Sequence, residues 1–217
     1  MKYLIHAYFK RIWYVEQYLI PSMLKQGIKR ENIALYNDDR GEGNLRAFLN
    51  ACMTVDDDDQ STWHLQDDVI ICKDFKEQTE KYDHGLVAGF SSYYDDKKHA
   101  GPGEVPQNKM WFSFPCILIP NQYAREGSKW IDENIIGNDV YKQYWEKGVN
   151  DDWCFRQYLM AEHKTDTAIN LAPNLVDHID YLLGGGSGGK RKREVRAKYF
   201  NDTELIRELE DQINGKT

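Results

Sequence analysis

Two adjacent carboxylates, Asp67 and Asp68, follow a mostly apolar run at 63–65 and precede another at 69–72. This pattern predicts a buried strand that stops, presents both acids at its tip and then resumes. Hard divalent cations such as Mg²⁺ and Mn²⁺ prefer carboxylate and water oxygens, so the acidic pair suits such a cation. Because neighbouring side chains of an extended segment point to opposite faces, we expect Asp68 to face the ligand and Asp67 to lie beside it. An acidic turn in solvent is the alternative interpretation.

The segments before this stretch alternate between strand and helix. Strands are predicted at 3–9 and 32–37, and amphipathic helices are predicted at 11–26 and from residue 43 onward. We expect Gly27 to end the first helix and Pro21 to bend or break it. Such alternation favours an α/β fold in which a mostly parallel central sheet carries helices on both faces.

Ligands of open α/β sheets bind at the carboxyl ends of the strands. Those ends carry polar or aromatic side chains at 6–9, 37–39 and 66–68, which predicts one cleft. Farther along we predict a strand at 85–90, a loop at 91–110, an apolar run at 110–120, and helices at 123–135, 138–145, from 150 and at 202–213. We expect one domain over residues 1–200, with a C-terminal helix within 201–217 that packs on it or extends from it.

The composition limits the classes of function that the chain can have. With 217 residues and a net charge of −7, the chain suits one well-filled domain that as a whole repels nucleic acid and anionic membranes. Its four cysteines lie far apart and predict reduced, buried thiols. Since the sequence predicts neither a signal peptide nor a membrane span, we expect a cytoplasmic protein that does not insert into membranes.

Two later motifs carry groups that could do chemistry. Asp151 and Asp152 follow Asn150 at the start of a predicted helix, where a carboxylate could accept a proton from a hydroxyl group. Asn150 is also a good N-cap, and acids in a first helical turn interact favourably with the helix dipole. His178 lies between Val176-Asp177 and Ile179-Asp180, where a histidine ordinarily makes a hydrogen bond in a loop or at a strand edge.

Taken in order, three motifs resemble those of nucleotide-sugar-dependent glycosyltransferases of the GT-A fold, particularly the small bacteriophage-type members. Residues 66–69 are a variant of the DxD metal motif, 150–152 with Arg156 are a variant of the acidic pair that opens the acceptor helix, and 176–178 contain the late histidine. The resemblance covers about residues 3–200 and implies a GT-A-like, Rossmann-like fold. The sequence departs from the family pattern at Gln66, where the first acid of the DxD motif is usual.

The resemblance implies a role for each motif. Asp68 and His178 would hold Mn²⁺ or Mg²⁺, which bridges the diphosphate of the donor. Asp152 or its neighbour Asp151 would take the proton of the acceptor hydroxyl, and Asp152 is preferred by alignment to the family motif. At Gln66 an amide contact would replace the usual carboxylate contact to the ribose.

The resemblance also implies contacts to the donor nucleotide from the strand ends, the start of the second helix and a basic run that follows the glycine-rich segment 184–189. These residues are His6, Ala7, Tyr8, Asp38, Gly43, Asn44, Gln66, Asp67, Lys190, Arg191, Arg193 and Arg196. For the basic run we rank a clamp on the donor diphosphate first, a solvated loop second, and a contact to a phosphate-rich acceptor such as DNA third.

The sequence thus predicts a metal-dependent, hexosyltransferase-like glycosyltransferase, acting in the host cytoplasm if it is phage-encoded. The expected donor is a UDP-sugar, and the expected acceptor is a hydroxyl group on a modified base of phage DNA or on a glycan. One alternative is a metal-dependent nuclease or phosphohydrolase, which would need further acids for a two-metal site. Another is a non-catalytic module that binds a nucleotide sugar or DNA.

Overall fold

The computed structural model describes residues 2–58, 60–90, 103–106, 114–138, 150–164, 168–172, 174–183, 203–213 and 215. Within these ranges the chain forms an α/β structure with one large and one small sheet. The strands are β1 (Lys2–Tyr8), β2 (Ile33–Asp38), β3 (Ser61–Gln66), β4 (Val69–Ile71), β5 (Val87–Ala88), β6 (Gly103–Pro106), β7 (Cys116–Pro120), β8 (Ile169–Ala172) and β9 (Val176–His178).

Helices connect several of these strands. They are α1 (Ile12–Tyr14), α2 (Ile20–Lys25), α3 (Asn44–Cys52), α4 (Phe75–Thr79), α5 (Asn121–Ile131), α6 (Asp151–Tyr158), α7 (Asp180–Leu183) and α8 (Thr203–Ile213). A π-helical turn, Val15–Leu19, joins α1 to α2 just before Pro21. Proline has no backbone N–H and therefore cannot donate the usual helical hydrogen bond. The wider π-helical turn before Pro21 accommodates this, and the helix continues instead of breaking.

The large sheet has the strand order β2-β1-β3-β7-β5-β8-β6 in the part of the chain that is described. Strands β1, β2 and β3 are parallel, and β7 runs antiparallel to both β3 and β5. Since β8 is parallel to β5 and β6 is antiparallel to β8, five of the seven strands run in one direction. The predicted α/β class with a mostly parallel central sheet is confirmed.

Alternate residues of the central strands enter two separate cores, one on each face of the sheet. Ile5 and Leu65 pack on one face with α2, α4 and α8, whereas Leu4 and Ile117 pack on the other with α3, α5 and α6. Side chains of a strand point alternately to its two faces, so apolar residues at both odd and even positions require helices on both sides. The predicted helices on both faces are confirmed.

Several predicted elements differ from those observed. The strand predicted at 85–90 is limited to β5, and the loop predicted at 91–110 contains β6, which pairs with β8 at the edge of the sheet. Glycine and proline at both ends of β6 favoured a loop, but edge strands tolerate proline because one side of the strand needs no partner. Residues 139–145 of the helix predicted at 138–145, and most of the predicted loop, lie outside the described residues.

The C-terminal helix α8 carries Ile206 and Leu209 into the same core as β1. Tyr18 in the first helical segment also donates a hydrogen bond to Gln212 of α8, with an Oη–Oε1 distance of 2.8 Å. Among the residues that the structure describes, no helix is both long and apolar enough to cross a membrane.

Gly127 sets the distance between α5 and α6. A Cβ atom at this position would lie 2.8 Å from Cε2 of Phe155 and 2.9 Å from Cδ1 of Tyr158, both on α6. These contacts are shorter than packed side chains allow, so a larger residue must push the two helices apart. The position of α6 therefore depends on this glycine.

We expect Gly127→Ala to lower the free energy of unfolding by about 1 kcal/mol, because overpacking outweighs the helix propensity that alanine gains. Urea denaturation measures the change, and Lys129→Ala, at an exposed position of the same helix, is the matched control. A Gly127→Ala protein as stable as the original would show that α6 does not depend on this close approach.

Candidate functional site

Asp67 and Asp68 lie in a tight turn between β3 and β4, and both are buried, with 2% and 4% of their surface exposed. Strand β4 leaves the large sheet at this turn and pairs with β9, so that Val69 lies opposite His178. This pairing brings His178 next to Asp68, although 110 residues separate them in the sequence. The predicted interruption of an apolar strand by two acids is observed.

Arg11 connects the two carboxylates. It lies in a 3-10 turn, Phe9–Arg11, that directly follows β1, and β1 runs beside β3 with His6 opposite Gln66. Its guanidinium forms an ion pair with Asp67, with an Nη2–Oδ1 distance of 3.1 Å, and another with Asp68 Oδ2. The expectation that the two acids face opposite sides is wrong, because the turn is not extended and both carboxylates face one guanidinium.

The surroundings of the two acids give them different proton affinities. Burial alone would raise the pKa of Asp68, but His178 and Arg11 together outweigh burial and lower that pKa. Burial, supported by the charge of Asp68, raises the pKa of Asp67. Burial alone would lower the pKa of Arg11, but the negative charges of Asp68 and Asp67 outweigh burial and raise that pKa. Asp68 is therefore the firmly ionised member of the pair.

Asp68 Oδ1 is buried and forms an ion-pair contact with His178 Nε2 at 3.1 Å, and apart from this contact it has no hydrogen-bond partner among the described residues. Two neighbouring ligands of an octahedral Mg²⁺, each at about 2.1 Å, are about 3.0 Å from each other. The pair therefore fits the oxygen and nitrogen ligands of a divalent cation. No three His, Cys, Asp or Glu side chains of the described ranges form a metal-binding group, so other oxygens would complete the coordination.

Asp151 lies at the first turn of α6 and faces the end of β3. Its Oδ2 is 3.4 Å from Nε2 of Gln66, and its Oδ1 accepts a hydrogen bond from the backbone N–H of Asp152. Burial, with the nearby charge of Asp152, raises the pKa of Asp151 to about 7. A buried carboxyl with a pKa near neutrality suits general base catalysis.

The interpretation that the acids of residues 150–152 stabilise the start of a helix is also supported. Asn150 occupies the N-cap position but makes no side-chain hydrogen bond there. Instead, Asp151 and Asp152 each accept a backbone N–H of the first turn, from Asp152 and Trp153 respectively. Asp152 is half-buried, and it is Asp151 whose carboxylate contacts Gln66.

Two histidines contact each other near the end of β1, where His6 of β1 is half-buried and His64 of β3 is buried. His6 Nε2 lies 3.0 Å from Nδ1 of His64, and Nε2 of His64 is buried without a partner among the described residues. Burial lowers the pKa of His6 to about 3 and that of His64 well below its ordinary value. Both rings are therefore neutral near pH 7.

The other residues of β1 that were predicted to contact the donor nucleotide are Ala7 and Tyr8, and they present different groups. The methyl group of Ala7 is buried in the core, so only the backbone of this residue could meet a ligand. Tyr8 is half-buried and its N–H donates to Asp67 Oδ2 at 2.6 Å. The rings of Tyr8 and Phe9 pack edge to face, with 4.6 Å between their centroids. Gly41, with φ 65°, approaches both rings.

The end of β2 and the start of α3 lie beside this aromatic pair. Asp38 is buried and accepts a hydrogen bond from the N–H of Glu42, so its carboxylate shapes the loop that leads to α3. Gly43 has φ 89° and occupies the N-cap position of α3, and Asn44 is the first helical residue. The backbone N–H groups of this helix start are the feature that could meet an anion.

The sequence reasoning missed Arg11, which it treated only as the start of a helix. The sequence nevertheless contained the information needed to predict this contact. Two adjacent acids that are predicted to be buried require a positive partner, and Arg11 follows a strand that is expected at the same edge of the sheet. Of the predicted basic run, Lys190, Arg191, Arg193 and Arg196 all lie outside the described residues.

No protein-family model matches the chain, and no curated protein is significantly similar to it. Among solved structures, the chain is similar to the galactosyltransferase LgtC in complex with donor and acceptor sugar analogues. The TM-score is 0.46 and the sequence identity is 14%, and the match covers 98% of this chain and 96% of that one.

The histidine pair predicts a loss of stability in acid. The unfolded chain protonates His64 below its ordinary pKa of about 6.5, whereas the folded chain does not, so stability falls as the pH drops below that value. We expect the free energy of unfolding to lose about 2 kcal/mol more in the original protein than in His64→Gln between about pH 7 and about pH 5. Urea denaturation at the two pH values measures this, and equal losses in the two proteins would contradict it.

Proposed function

We propose that this chain is a metal-dependent glycosyltransferase of the GT-A type that uses a nucleotide-sugar donor. One observation carries the proposal: buried Asp68 Oδ1 lies 3.1 Å from His178 Nε2 and has no other hydrogen-bond partner among the described residues. This oxygen and nitrogen pair stands at the carboxyl end of β3, where α/β sheets bind ligands. The buried carboxyl of Asp151 faces the same strand end through Gln66.

Asp68 and His178 would hold Mn²⁺ or Mg²⁺, and such a cation stabilises the negative charge that develops on the departing diphosphate. Two protein ligands are sufficient for this role, because Mg²⁺ sites commonly combine one or two carboxylates with water and substrate phosphates. The same reasoning applies to Mn²⁺, which also accepts an imidazole ligand.

The donor nucleotide would lie along the carboxyl ends of β1 and β2. His6 is neutral, and the adjacent rings of Tyr8 and Phe9 offer an aromatic surface at this edge, with Phe9 39% exposed. A flat apolar surface beside a neutral polar ring suits a nucleobase. We take a UDP-sugar as the donor, as the resemblance of the sequence motifs implies.

Asp151 is the residue that we propose as the base. Its carboxyl has a pKa near 7, and its contact with Gln66 keeps it at the end of β3. Loss of the acceptor proton to this carboxylate favours direct displacement, which inverts the configuration of the transferred sugar. Asp152, preferred by the family motif, is the neighbouring alternative.

The acceptor would be a hydroxyl group on a glycan or on a modified base of phage DNA, and the enzyme would act in the cytoplasm. The net charge of −7 disfavours DNA as an acceptor unless a local basic patch compensates. The run from Lys190 to Arg193 with Arg196 supplies such a patch in the sequence, and a clamp on the donor diphosphate is its other proposed use.

Calorimetric titration with UDP, with and without Mn²⁺, tests the proposed donor site. We expect UDP to bind only when Mn²⁺ is present and the binding to be weakened about a hundredfold or more in Asp68→Asn, because the ligand oxygen is lost. Asp83→Asn removes an exposed carboxylate that precedes β5 and is the matched control. Binding of UDP that needs no metal and survives Asp68→Asn would contradict the proposal.

Turnover with UDP-sugars separates the two candidate bases. We expect Asp151→Asn to lower kcat about 10²- to 10⁴-fold, whereas Asp152→Asn retains most of it, because only the first change removes the proton acceptor. Binding of UDP with Mn²⁺ should stay unchanged in both variants. The reverse order of the two effects would assign the base to Asp152.

A further inference from the structure

Arg11 and the backbone N–H of Tyr8 contact three of the four carboxylate oxygens of Asp67 and Asp68. The guanidinium contacts Asp67 Oδ1 and Asp68 Oδ2, and the N–H of Tyr8 donates to Asp67 Oδ2. The fourth oxygen, Asp68 Oδ1, is contacted neither by Arg11 nor by a backbone N–H among the described residues, and it faces His178 Nε2 at 3.1 Å. A cation at this turn would therefore contact one oxygen of Asp68 and no oxygen of Asp67.

The same arrangement limits the negative charge that a cation meets. Two carboxylates and one guanidinium carry at most one net negative charge, and a histidine ligand binds metal in its neutral form. All three charged side chains are at least nine-tenths buried, so water screens them weakly. A divalent cation bound there alone would leave uncompensated positive charge in a buried site, which is unfavourable.

A nucleoside diphosphate supplies the missing negative charge. Its phosphate oxygens both neutralise the cation and provide further ligands. Resting on the proposed function, the geometry points to Arg11 as a positioning residue that makes binding of the divalent cation depend on the diphosphate of the donor. Arg11 does this by holding Asp67 away from the cation and cancelling one carboxylate charge.

Arg11 is poorly placed to bind the diphosphate directly. The residue is 8% exposed, both of its terminal nitrogens already contact carboxylates, and its Nε is buried. Moving it onto a phosphate would leave Asp67 and Asp68 buried without their countercharge, which is strongly unfavourable. Its influence on the ligand therefore passes through the carboxylates.

Binding of Mn²⁺, followed by the electron paramagnetic resonance signal of free Mn²⁺, tests this role with and without UDP. In the original protein we expect weak binding of Mn²⁺ alone, tightened about tenfold or more by UDP. Arg11→Gln should bind Mn²⁺ alone about tenfold or more tightly than the original protein, because one buried positive charge is gone. Asp67→Asn should weaken binding of Mn²⁺ alone by about the same factor.

The double variant Arg11→Gln/Asp67→Asn is the charge-matched control. It restores the net charge of the original site, so Mn²⁺ alone should bind within about threefold of the original affinity. A double variant as weak as Asp67→Asn would overturn the inference, since Asp67 would then act as a ligand. Should Arg11→Gln fail to fold, Asp67→Asn and the double variant still decide the question.

Two further results distinguish this inference from the proposed function. Tight binding of Mn²⁺ to the original protein without UDP, together with metal-dependent binding of UDP, would overturn the role of Arg11 and leave the glycosyltransferase proposal intact. Absence of any Mn²⁺ effect on UDP binding would overturn both. Metal-independent binding of UDP that is lost in Arg11→Gln would show that Arg11 contacts the diphosphate itself.

Discussion

The burial of two adjacent carboxylates is the constraint on which this site depends. Asp67 and Asp68 are almost completely inaccessible, and two like charges so close together and removed from water need a positive partner. Arg11 supplies it, and removing one member of such a buried pair typically costs about 3–5 kcal/mol. The turn after β3 and the turn after β1 must therefore stay together, and the parallel pairing of these strands keeps them so.

The small sheet connects this charge cluster to the late part of the chain. Pairing of β4 with β9 brings His178 to Asp68, and the N–H of Ile179 donates to the backbone carbonyl of Asp68 at 2.8 Å. From the other side, the close packing of α5 and α6 at Gly127 positions α6, whose first turn carries Asp151. The contact between Asp68 and His178 and a carboxyl with raised pKa thus lie at one strand end.

The sequence was sufficient to predict the alternation of strands and helices, the two-sided sheet, and the acidic tip after β3, because these features follow from the spacing of apolar residues. It could not predict that Asp67 and Asp68 face the same side, since this depends on a turn and not on strand geometry. Arg11 was also missed, because a long-range ion pair has no periodic signal. The contact of Gln66 with Asp151 arises from helix packing, whereas alignment to the family motif had favoured Asp152.

The most direct test of the account is the position of Mn²⁺ in crystals grown with UDP, located by anomalous scattering at the manganese absorption edge. We expect one peak that is coordinated by Asp68 Oδ1, His178 Nε2 and oxygens of the diphosphate, with Arg11 still bridging the two carboxylates. A peak that has Asp67 as a ligand, or a diphosphate bound directly to Arg11 without any manganese peak, would contradict it.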